Sequence, residues 1–144
     1  MSEVDEVALA GPREAFERFR DHLLAGTSAG LETFLADDAV VETPFAPPGA
    51  PRHIEGREAF AARAVPQREA LLKRIRFTAV RDVIVHETAD PQVAFIEYEL
   101  EATREPDGLR AAAPFAVVVR VENGRVTLWR EYQNPTAMAL LATV

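Results

Sequence analysis

No cysteine occurs in the chain, which excludes a disulfide framework, a thiolate nucleophile and a thiolate-bound metal. Long apolar runs are missing too: the longest extend only a few residues, far short of the ~20 that a membrane-spanning helix requires. Positive charge is scarce, with 16 Lys and Arg against 23 Asp and Glu and a net charge of −7. Nothing resembles the basic patch that a phosphate backbone demands, so no nucleic-acid partner is expected. The three histidines, His22, His53 and His86, lack the short spacing of a metal site. Neither a glycine-rich phosphate loop nor a nucleophile elbow is present. No metal and no cofactor is therefore expected. The opening MSEVDEVALAG is acidic and lacks the basic start and apolar core of a signal peptide. A cytoplasmic location without a membrane partner is the default expectation.

What is present reads as an ordinary globular domain, with 48% apolar and 27% charged residues in 144. That length suits one domain with a substantial core, expected over 1–144 with residues 1–11 disordered. Pro12 suits the first turn of a helix, where its missing N–H costs nothing. Phe16, Phe19 and Leu23 then recur at helical spacing until Gly26, predicting a helix over 12–25. Ser28 is a candidate N-cap for a short helix with Leu31, Phe34 and Leu35 on one face. Ala39 to Thr43 reads as a strand. The segment PFAPPGAPRH holds four prolines and a glycine in ten residues, too much punctuation for a regular element, and is expected to form a stiff loop. A third helix is predicted over 57–73, with Pro66 as a possible kink.

From Ile75 the apolar period becomes two, with Ile75, Phe77, Ala79, Val83 and Val85 at alternating positions. Strands are predicted onward from Ile75, over 92–104 and 112–122, and after Gly124. The turns are Ala89-Asp90-Pro91, Pro106-Asp107-Gly108 and Asn123-Gly124, the last a strong hairpin signal. Asn134-Pro135 could cap a final short helix over the apolar run 137–142. Helices first and a strand meander afterwards predict an α+β fold: a curved antiparallel sheet forming a cone, with N-terminal helices packed over its concave face. The space between such layers is a default ligand site.

The densest polar chemistry lies in GRVTLWREYQNP, residues 124–135. Side chains on a strand alternate between faces, so Trp129, Glu131 and Gln133 share one face and Leu128, Arg130 and Tyr132 the other. A carboxylate beside an aromatic wall is partly desolvated, which raises its pKa toward the range useful for acid/base work. Glu131 is the leading catalytic candidate. Glu97, Glu99 and Glu101 likewise share one face of their strand, opposite Ile96, Tyr98 and Leu100. By alternation alone, this reads as a solvated glutamate face over an apolar core face.

The element order, together with DDAVVETPFAPPG, IEGREAFAAR, HETADPQVAFIEYE and NGRVTLWREYQNP, resembles the cone-shaped superfamily of nuclear transport factor 2, ketosteroid isomerase and SnoaL-like polyketide cyclases. The resemblance covers nearly the whole chain. It implies that the glutamates of 92–104 turn inward, with Glu99 as a helper to Glu131. Trp129, Glu97, Thr43, Val41, Phe60 and Gln133 would line the substrate site. It also implies a homodimer formed through the convex side of the sheet.

The sequence departs from particular relatives. Thr43 stands where the isomerases carry a catalytic aspartate, and Phe19 stands where they carry an oxyanion-donating tyrosine. Limonene epoxide hydrolase resembles this chain at WREYQNP, with Glu131 and Glu99 at its carboxylate positions. Glu97, Val41 and Thr43, however, replace the arginine, tyrosine and asparagine that hold its water. Phenazine-biosynthesis condensing proteins resemble the chain at REYQN, with a glutamate at the Glu131 position, but their helical histidine has no counterpart. The expectation is a cofactor-free acid/base isomerase or cyclase acting on a small apolar ketone or polyketide-like metabolite. The alternative is a ligand-binding or dimeric assembly module without catalysis.

Overall fold

The computed structural model describes residues 8–27 and 29–142. The proposed cap Ser28 and residues 1–7 of the expected disordered stretch lie outside them. Ala8 to Gly11 are not loose: the Leu9 N–H donates to the Gly124 carbonyl at 3.0 Å, and Leu9 is buried. Helix α1 spans Pro12–Ala25 and buries Pro12, Ala15 and Phe16. It ends at Gly26, whose φ of 68° is left-handed and whose N–H reaches the carbonyls of His22 and Leu23, a common helix stop. A single 3₁₀ turn follows over Leu31–Thr33. Leu35 already belongs to a strand rather than to the short helix predicted for it.

Strand β1 covers Leu35–Glu42 and β2 covers His53–Glu55. The proline-rich segment between them has no regular structure over 43–52, although His53 at its end pairs with Glu42 across the β1–β2 ladder. Helix α2, Arg57–Leu72, carries Pro66 in its interior without a break in the assignment. The remaining strands are β3 (Ile75–Glu87), β4 (Val93–Arg104), β5 (Arg110–Glu122) and β6 (Arg125–Tyr132). Helix α3 spans Pro135–Ala142, and the Ala137 N–H donates to Asn134 Oδ1 at 3.1 Å, as expected of an N-cap.

The six strands form one sheet in the order β2-β1-β6-β5-β4-β3. β3 to β6 make the expected antiparallel meander, whereas β1 runs parallel to β6, so the sheet is mixed rather than wholly antiparallel. Asn123 and Gly124, with φ of 53° and 79°, make the tight β5–β6 turn, a geometry that matches the right-handed twist of the flanking strands. In β3 the register with β4 slips between Phe77 and Ala79 and again between Arg81 and Ile84, and Asp82 adopts φ 57°. Each bulge adds one residue and sharpens the local bend. The bulges also change which residues face inward: Val80, Val83 and Val85 pack on the core, while Ala79 pairs opposite Glu101 on the outer face.

The core fills the concave side of this curled sheet under α1. Its fully buried members include Phe16, Leu35, Ile96, Val117, Val126 and Trp129, each side chain contributing roughly 1.5–3 kcal/mol of burial. Phe16 packs against Phe19 and Tyr98 with ring centroids 6.1 and 5.0 Å apart. This contact attaches the helix to the middle of the sheet.

Candidate functional site

The layers do not close completely. A cavity of about 690 Å³ lies between the concave sheet, α1, α2, the proline-rich loop and α3. Its sheet wall follows from register. Residues directly opposite on neighbouring strands share a face, and Tyr98 pairs with Phe115, Val117 with Glu131 and Val119 with Trp129. The parallel pairing of Val41 with Trp129 brings β1 into the same wall. Val41, Trp129 and Glu131 therefore line the cavity, joined by Thr43 and Gln133 just beyond the ends of β1 and β6 and by Phe60 from α2.

Glu131 is its polar centre. Trp129 Nε1–H donates to Glu131 Oε1 at 2.9 Å, while Tyr98 O–H and Gln133 Nε2–H stand 3.5 Å from Oε2. The indole is itself fixed by Phe19, 4.7 Å away between ring centroids, and is only 1% exposed. Burial pushes the Glu131 carboxyl above its ordinary value; the hydrogen bonds from Trp129, Gln133 and Tyr98 offset this in part. Tyr98, 2% exposed, has its phenol pushed well above the usual range by burial first and then by the adjoining carboxylate. The phenol is thereby kept neutral as a donor. One carboxyl and three donors thus converge inside a largely apolar chamber.

Glu97 and Glu99 do not join it, which corrects the expectation that they face the pocket. Glu97 meets His86 Nε2 at 2.7 Å, Glu99 accepts from Arg81 Nε at 3.0 Å, and Glu101 meets Arg81 and Thr78 at 3.3 and 2.9 Å. All these contacts lie on the outer face of the β3–β4 ladder. The reason is the pleat: Ile96, Tyr98 and Leu100 take the concave side because apolar burial there outweighs any benefit of glutamates facing inward. Among the described residues Glu131 consequently has no carboxylate partner, and Tyr98 stands where the helper had been expected. Tyr98 was missed although the alternation of Ile96, Tyr98 and Leu100 placed it on the core face.

Thr43 lines the cavity but its hydroxyl donates to the Pro51 carbonyl at 3.2 Å, tying the proline-rich loop to β1. On the outer face Arg130 Nε donates to Glu42 Oε1 at 2.6 Å. His53 bridges Glu42 and Glu55 at 2.9 and 3.0 Å, so this histidine belongs to the β1–β2 edge. Phe45, 58% exposed, rests edge-on against Tyr132 at the rim; the chamber is not filled by its own phenylalanines. Helix α2 presents Phe60, Ala64, Gln67, Arg68 and Leu71 to the cavity. Arg68 makes a forked pair with Glu32 at 2.9 and 2.7 Å. Burial disfavours the charged form of Glu32, but the bonds and charge of Arg68 outweigh it and hold the carboxyl below its ordinary value. Among the described residues no cluster of three metal-ligating side chains forms, and no helix is long and apolar enough to cross a membrane.

A curled mixed sheet, capped by helices and enclosing an apolar chamber with one half-buried, desolvated carboxyl on its wall, defines the α+β cone anticipated from the sequence. The chain belongs to the SnoaL-like domain family, which matches residues 16–129. A PhzA/B-like protein of Pseudomonas aeruginosa is 34% identical over 110 residues, covering 76% of this chain and 74% of that protein. Among solved structures, an isomerase candidate from Bacillus subtilis superposes with a TM-score of 0.77 at 23% identity, covering 90% of this chain and 91% of that one. A Δ5-3-ketosteroid isomerase from Mycobacterium sp. superposes with a TM-score of 0.63 at 24% identity, over 87% of this chain and 94% of the isomerase. At these identities the structural matches establish the shared fold.

Proposed function

We propose that the protein is a cofactor-free acid/base enzyme, an isomerase or cyclase acting on a small, largely apolar ketone or polyketide-like metabolite, with Glu131 as the proton-transfer residue. The observation that carries this reading is the Glu131 carboxyl, held by Trp129, Tyr98 and Gln133 in an apolar chamber that raises its pKa. A base poised nearer neutrality is better matched to removing a carbon-bound proton and returning it elsewhere. In such a reaction Glu131 takes a proton from the carbon beside the ketone, and the electron pair left behind delocalises onto the carbonyl oxygen. The neutral Tyr98 hydroxyl is the donor available to that oxygen. Return of the proton to a different carbon completes an isomerisation, whereas attack of the enolate carbon on a second carbonyl, with the Glu131 proton passing to the alkoxide oxygen so formed, completes a cyclisation. Trp129, Val41, Phe60 and Thr43 shape the chamber around the substrate.

The test is proton exchange. A panel of β,γ-unsaturated ketones and linear polyketide mimics is incubated with the protein in deuterated water and followed by NMR. Deuterium incorporation beside the carbonyl in at least one compound, abolished by Glu131→Gln, is the expected result. Exchange that survives unchanged in Glu131→Gln refutes the assignment. A second reading, a ligand-holding module without catalysis, draws on Thr43, whose hydroxyl is engaged by Pro51 and which offers no second carboxyl. It predicts binding without exchange. We infer further that two copies pair through the outer face of the sheet, where Ile84 is 50% exposed; sedimentation as a monomer at micromolar concentration would remove that inference.

A further inference from the structure

Residues three or four apart on a helix share a face, and the face of α2 that lines the cavity carries one unexpected member. Phe60, Ala64 and Leu71 suit an apolar chamber and Gln67 is polar but neutral, whereas Arg63, standing among them, carries a charge. A solvated arginine ordinarily points away from such a wall. Arg68, on the same helix, is engaged by Glu32, whereas among the described residues no carboxylate is placed against Arg63. Among the described residues the one acid lining the chamber is Glu131, on the sheet wall rather than the helical one. Arg63 is exposed, which sets its guanidinium at the mouth, in a chain whose net charge is −7. It is a cation at the entrance of a largely apolar chamber, and its planar fork fits a carboxylate, phosphate or sulfonate.

We propose that the ligand of this cavity is an amphiphile, with an apolar body in the chamber and an anionic group that pairs with Arg63 at the helical rim. This rests on the reading of the cavity as a small-molecule site and adds the substrate class: acidic metabolites are preferred to their neutral counterparts. Arg63 acts in recognition, and the proton transfer stays with Glu131.

A matched pair of fluorescent probes tests the proposal, 8-anilino-1-naphthalenesulfonate and its uncharged counterpart N-phenyl-1-naphthylamine. Each is titrated into the full chain, and the emission of Trp129, the single tryptophan, reports occupancy. Loss of a charge-assisted contact at an exposed position lowers affinity by roughly three- to fivefold. Arg63→Gln is therefore expected to weaken the sulfonate by that factor while leaving the neutral probe within about twofold. Arg13→Gln, at an exposed position of α1 outside the cavity, leaves both affinities unchanged. Equal losses for both probes in Arg63→Gln, no loss for either, or an equal sulfonate loss in Arg13→Gln would overturn the proposal. If the wild-type chain binds the neutral probe but Arg63→Gln keeps its sulfonate affinity, the anion contact fails and the cavity reading survives. Binding of neither probe by the wild-type chain overturns both.

Discussion

Replacing Glu131 by Gln keeps the shape of the side chain and removes its charge, so it isolates what burial of that charge costs the fold. Trp129 Nε1–H, 2.9 Å from Oε1 in the wild type, can still donate to the amide oxygen. The exchange of one neutral hydrogen-bonding group for another should therefore change stability by no more than about 1 kcal/mol at low pH. The difference grows with pH. The Glu131 carboxyl has its pKa raised above the ordinary 4.5 in the folded chain, so folding holds a proton that the unfolded chain releases. Its stabilising contribution is full below the unfolded value and is lost as pH rises through the folded one. Within that window wild-type stability should fall, relative to Glu131→Gln, by up to about 1.4 kcal/mol per pH unit. For a chain of this size each kcal/mol corresponds to roughly 3–4 °C in Tm. Thermal or urea unfolding of both proteins from pH 4 to pH 9 measures the gap directly, because every other titrating group cancels in the difference. Parallel stability profiles across that range would refute the claim that the carboxyl is buried at a cost. A gap that closes with rising pH would reverse its sign.

Three further substitutions address the frame around the site. Phe16→Ala removes a fully buried ring that joins α1 to Tyr98; a loss of about 3–5 kcal/mol in urea unfolding is expected. Gly124→Ala places a methyl 2.5 Å from Ala8 Cβ at a φ of 79°, so it should cost about 1–2 kcal/mol in left-handed strain alone and disturb the Leu9 strap. Glu99→Gln, by contrast, alters an exposed pair with Arg81 and should change stability by less than ~1 kcal/mol, with probe binding in the cavity unaffected. A large loss of binding in Glu99→Gln would return that residue to the site.

Much of this architecture could be read from the chain because local chemistry and global packing agree. Pro12 and Gly26 bound α1, Asn123-Gly124 turns β5 into β6, and Asn134 caps α3, since each relies on a backbone preference that needs no tertiary partner. The same holds for the shared face of Trp129, Glu131 and Gln133, which follows from the pleat alone. What could not be read depends on pairing between distant strands. The parallel docking of β1 on β6 leaves no local signature, and the bulges of β3 exchange Ala79 for Val80 on the inner face without any break in hydrophobicity. The error at Glu97 and Glu99 was of a different kind. The alternation of Ile96, Tyr98 and Leu100 already pointed to a glutamate face in solvent, and the family resemblance overrode it. Physical alternation was the better guide, and following it would have put Tyr98 on the core face.

The chamber sets the proton affinity of one carboxyl, and carbon-13 NMR of glutamate-labelled protein measures that affinity at the atom concerned. Comparison with Glu131→Gln identifies the resonance. The Glu131 carboxyl is expected to titrate at a pH above the ordinary 4.5, and Trp129→Phe, which removes the indole donor, to move the midpoint higher still. A Glu131 midpoint at or below the ordinary value, unchanged by Trp129→Phe, would contradict that expectation.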